Sequence, residues 1–88
     1  MAVYIVTYDL KKFGQNYTCV TDKLNKLKAH HAQGSVWFVS TTSTETDLRD
    51  HLQPCLDAND ELFVALLTSG RWAGVNNHDD KVWLDARL

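Results

Sequence analysis

The sequence predicts a single α+β domain over residues 1–88, with two helices on one face of an antiparallel sheet and a short element at the C-terminal end. Three observations predict it. Apolar runs rich in β-branched and aromatic residues at positions 2–9, 35–41 and 61–68 read as strands. Between them lie two stretches whose apolar residues recur every three or four positions, the spacing of a helix that buries one side. By pattern alone the middle extended segment, His31 to Thr41, is either one long strand or two strands separated by a kink at Gly34, and the split form completes a four-stranded sheet.

The first element, Ala2 to Leu10, is extended and ends on a carboxylate, Asp9. Lys11 to Asn16 is a polar break containing Gly14, and Asn16 is a good N-cap for the first helix, since its side chain accepts from amides of the first turn. Tyr17, Val20, Leu24 and Leu27 form the apolar stripe of that helix, which should end near Ala29. After the split strand, Thr42-Ser43-Thr44-Glu45 reads as a capping box opening a helix that buries Leu48, Leu52, Cys55 and Leu56. Pro54 ends that helix somewhere between Gln53 and Asp57, because proline in a helix interior removes a hydrogen bond. Glu61 to Thr68 is the last strong strand. The order is then βαββαβ, the ferredoxin-like arrangement. Val82, Trp83 and Leu84 in the tail need cover, and a short helix is preferred there over an added strand.

Composition fits an ordinary folded domain, 44% hydrophobic and 23% charged with net charge −2. A domain of this size buries only about 60–65% of its unfolded surface, so association is a plausible extra support. No apolar run reaches the ~18 residues that span a bilayer, and the start lacks the basic and apolar regions of a secretory signal, so the expectation is a cytoplasmic chain with no membrane partner. Cys19 and Cys55 have neither the number nor the spacing of a disulfide framework or zinc site, and are expected to be buried thiols. Lys11, Lys12, Lys23, Lys26 and Lys28 crowd the first third, whereas Glu45, Asp47, Asp50, Asp57, Asp60 and Glu61 crowd the middle. Such lysines either meet phosphate or form the solvated side of a helix.

Neither a phosphate-cradling glycine loop nor a nucleophile elbow is present, so no organic cofactor is expected. His30-His31 is a poor metal pair, since adjacent side chains point to opposite sides of a strand. Asp79-Asp80 reads as a turn or cap. That leaves Asp9, at the end of a central strand where ligands and metals commonly bind.

Tyr4-Ile5-Val6-Thr7-Tyr8-Asp9-Leu10, the helix after it, Gln33-Gly34-Ser35-Val36-Trp37-Phe38 and the late Asp60-Glu61-Leu62-Phe63-Val64 together resemble the small CRISPR-associated adaptation proteins and the virulence-associated protein D toxins, in particular their short stand-alone relatives. The resemblance covers residues 2–68. It implies a ferredoxin-like domain that dimerises through its sheets, with Asp9 facing its mate across a cleft. It also maps Gln33, Ser35 and Trp37 or Phe38 onto the second motif. Basic residues, often arginine, follow the aspartate in many members, and here Lys11 and Lys12 stand there; lysine does not reproduce arginine's bidentate grip on phosphate.

The first functional expectation is therefore a homodimeric endoribonuclease-like protein with Asp9 as catalytic residue and metal ligand. It would take Mg2+, with Mn2+ as substitute, because magnesium is held by one or two carboxylates plus substrate phosphates. Lys11, Lys12, Gln33 and Ser35 would contact RNA or DNA. Trp37, Phe38 and Trp83 would form the dimer interface, where aromatics are enriched. The alternative is a non-catalytic dimeric scaffold of the same fold that binds nucleic acid or protein.

Overall fold

A strand whose successive residues are all apolar has to be buried on both faces, and the first segment is of that kind. In the computed structural model, which describes residues 1–10 and 17–88, β1 (Ala2–Asp9) lies inside a four-stranded sheet of order β2-β3-β1-β4, formed with β2 (His30–Gln33), β3 (Val36–Thr41) and β4 (Glu61–Leu67). Every neighbouring pair is antiparallel. The helices among the described residues are α1 (Tyr17–Lys26), α2 (Glu45–Leu52) and α3 (His78–Asp85), and a 3-10 turn over Gln53–Cys55 comes directly after α2. None of them is long and apolar enough to cross a membrane. Lys11, Lys12, Gly14 and the expected N-cap Asn16 lie outside the described residues.

Strand alternation sorts the core into two layers. Tyr4, Val6, Tyr8, Trp37 and Val39 point to one face and pack with Val20 and Leu24 of α1 and Leu48 and Leu52 of α2. Val3 and Phe38 point to the other face, where Leu84 of α3 closes over them with Ile5, Trp72 and Trp83 around it. The tail therefore packs as a helix on its own sheet.

Helix boundaries differ from expectation for local reasons. The first helix stops at Lys26 because Lys28 adopts a left-handed φ of 57°, so that its amide donates to Asn25 O and that of Ala29 donates to Leu24 O, a Schellman closure of the last turn. The capping box sits two residues later than the one read from Thr42 and Glu45. The Thr44 hydroxyl accepts from the Asp47 amide at 3.1 Å, and the Asp47 carboxylate accepts from the Thr44 amide at 3.3 Å. Both frames satisfy the box chemically; the later one is the frame the chain uses, and Leu48 and Leu52 then lie one turn apart on the buried side. Pro54 falls within the 3-10 turn, so α2 ends at Leu52, one residue short of the expected Gln53–Asp57 window, and Cys55 and Leu56 follow the helix instead of lying on it.

The cysteines correct the sequence reading. Cys19 on α1 and Cys55 after α2 are joined in a disulfide, with Cα atoms 5.6 Å apart. Docking two helices side by side on one sheet face brings together thiols 36 residues apart. A second tie beside it is the Lys23 ammonium of α1, which donates to His51 O at 2.8 Å, so this lysine of the basic stretch serves the helix pair.

Candidate functional site

Asp9 is the last residue of β1, exposed, and directly opposite Glu61 in the antiparallel register with β4. Residues so placed have Cβ atoms about 5 Å apart, so the two carboxylates share one end of the β1–β4 ladder. The pair opens into a cleft of about 440 Å³ lined by Thr7, Tyr8, Asp9, Glu61, Leu62 and Phe63. Phe63 is 65% exposed, a large ring left on the surface beside two acids. Two hard oxygen donors suit magnesium, whose remaining positions are ordinarily filled by water and substrate phosphate. No group of three or more histidine, cysteine, aspartate or glutamate side chains capable of holding a metal occurs among the described residues.

Tyr8 anchors this end of the sheet. Its hydroxyl accepts from the Trp37 indole N–H at 3.1 Å, and its amide donates to Ser35 O at 3.2 Å. Ser35 is thus held one residue from Asp9, through its backbone. Burial pushes the Tyr8 phenol above the ordinary tyrosine value, the Trp37 hydrogen bond pulls it back in part, and nearby Tyr17 pushes upward again. A folded-state value raised in this way makes the neutral phenol a source of stability below pH 10.0, lost as pH climbs through the raised value. Tyr8→Phe should cost about 1–2 kcal/mol at neutral pH, since it leaves a buried indole N–H without its acceptor. The variant should also lose less stability than wild type between neutral and alkaline pH; urea denaturation at both checks this.

The other sequence-selected residues are dispersed. Gln33 lies at the exposed end of β2 and lines a different cleft, of about 410 Å³, with His30, His31, His78, Asp79 and Asp80. Trp37 is 3% exposed and Phe38 is also buried, the first under α1 and α2 and the second under α3. Both rings belong to the chain's own core and offer no surface to a dimer mate, which corrects their expected interface role. Trp83 is half-buried, stacked on His30 at 5.6 Å on the sheet side, with the Arg87 guanidinium 4.0 Å from its ring centre.

Sequence reasoning missed two pairs. Glu61 opposite Asp9 depends on strand register, which no local pattern carries. His30 Nε2 lies 2.7 Å from a carboxylate oxygen of Asp80, which is 7% exposed, so this aspartate clasps α3 to β2. His31 points the other way and stacks on Trp37 with ring centres 4.1 Å apart. Adjacent histidines on opposite sides of a strand were legible; their partners were not. No protein-family model matches the chain.

Proposed function

We propose that this is a ferredoxin-like, homodimeric phosphodiesterase of the endoribonuclease-like class, with Asp9 as its central carboxylate. The observation that carries the reading is the register of Asp9 against Glu61 in a cleft that also holds Phe63. The βαββαβ order and the strand order β2-β3-β1-β4 support the ferredoxin-like assignment. Glu61 supplies within one chain the second carboxylate that the sequence reading sought from a second copy. Each chain then carries its own acidic pair.

In this reading Asp9 and Glu61 would hold Mg2+ or Mn2+, which supplies an activated water and neutralises charge on the phosphate. The chain's own residues do the rest. Phe63 offers a face on which an RNA base stacks, worth about 1–3 kcal/mol per base in such contacts. Tyr8, fixed by Trp37 and by Ser35 O, holds the strand end in place. In the cytoplasm, where this reading puts the chain, the reducing environment works against the Cys19–Cys55 link, although Cys55 is shielded at 8% exposure.

Cleavage of labelled RNA and duplex DNA with magnesium, manganese or EDTA tests the reading. Wild type should cut RNA only with a divalent ion, and Asp9→Asn should lose at least roughly the 10–100-fold seen when a metal site is perturbed; Glu61→Gln should fall in the same direction. Equal cleavage by wild type and Asp9→Asn would reject it. The exposed Phe63 favours one second reading, a non-catalytic nucleic-acid scaffold, which RNA binding without cleavage would support.

A further inference from the structure

We infer that β4 pairs antiparallel with β4 of a second copy of this chain, continuing the sheet across its open edge in a register centred on Val64. The two edges of the sheet are unlike. β2 has four residues, and its pairing is interrupted by a register shift between His31 and Gln33, the kind of short, irregular strand that resists edge pairing. β4 has seven residues in unbroken register with β1, and residues 62–67 contain no lysine, proline or bulge. Among the described residues, the backbone of 62–67 makes no hydrogen bond outside the ladder to β1.

Two exposed side chains fix the direction of approach. Phe63 is 65% and Leu66 59% exposed, and alternation puts them on opposite faces of β4. A partner lying on either face of the sheet covers one of them. A strand added beside the edge meets both.

The sequence of β4 is complementary to itself in that arrangement. Centring the two-fold on Val64 sets Phe63 opposite Ala65 of the second copy, Leu62 opposite Leu66, and Glu61 opposite Leu67. Large rings face a small residue, leucines face leucines, and the strand's single charge is kept away from its own copy. The two Glu61 positions then lie about 20 Å apart along the strand pair, six residues at about 3.4 Å each. Each Asp9–Glu61 pair remains separate.

The inference rests on the homodimer part of the proposed function and not on its chemistry. Light scattering on the full chain at tens of micromolar should give a dimer. Leu66→Lys and Phe63→Lys, both at exposed positions that leave the fold intact by circular dichroism, should each weaken dimerisation at least tenfold. Val64→Cys should form a disulfide-linked dimer under mild oxidation, because residues at the two-fold sit within disulfide reach, whereas the exposed control Val82→Cys should not. A monomeric wild type at 100 µM, a dimer indifferent to both lysine variants, or Val64→Cys linking no faster than the control would overturn the edge pairing. A dimer that cleaves no RNA would count against the nuclease chemistry alone, and a cleaving monomer would overturn the edge pairing and the homodimer part of the proposed function while leaving its chemistry standing; Leu66→Lys should therefore lose dimerisation and keep cleavage.

Discussion

Replacing Cys19 and Cys55 together by serine, or reducing the wild-type protein, should lower the free energy of unfolding by about 4 kcal/mol. The link closes a loop with a sequence separation of 36 residues, and the chain-entropy relation for a loop of that length gives about that value. For a domain of this size, total stability of order 5–15 kcal/mol makes this roughly a quarter or more of the whole, and the thermal midpoint should fall by on the order of 20 °C. The effect concentrates between α1 and the turn after α2, where the Lys23 ammonium on His51 O is left to hold the helix pair. Thermal denaturation of wild type with and without reductant, beside the double serine variant, measures it. A wild-type midpoint indifferent to reductant would show that the link adds nothing to folding.

Trp37→Ala should cost about 3–5 kcal/mol, the range for truncating a large buried aromatic. The indole is 3% exposed, fills the layer between the sheet and the two helices, and donates to the Tyr8 hydroxyl. Its removal leaves a cavity, an unpaired phenol and an unstacked His31 ring. Were Trp37 an interface residue, the substitution would dissociate a stable subunit. The core placement instead predicts a lower urea midpoint at every protein concentration, and an unchanged midpoint would reject it.

The contrast between these residues and Asp9 shows where local pattern stops carrying information. The helices were legible because their apolar spacing is written within ten or so residues, and β1 because consecutive apolar residues admit only two-sided burial. Trp37 and Phe38 were both expected at a dimer interface, although alternation along a strand sends them to opposite faces. Trp37 is covered by α1 and α2, and Phe38 by α3, whose docking on the second sheet face depends on the tail finding Val3, Phe38 and the His30–Asp80 clasp, formed between residues 50 positions apart. The same limit hid the disulfide and Glu61. Each needs helices docked or strands registered before the residues meet.

The position of β1 carries a consequence for synthesis on the ribosome. Of the four strands of this sheet the first in chain order is an inner one, and its neighbours are residues 36–41 and 61–67. Val3, Tyr4, Val6 and Tyr8 therefore emerge long before the chain that covers them, and the nascent strand stays unpaired until β3 is out and open along its other edge until β4 has left the exit tunnel. Because all of its pairings are distant in sequence, sheet closure is a late and cooperative event, and the interval before it is when the chain is most open to capture by chaperones or by other nascent copies.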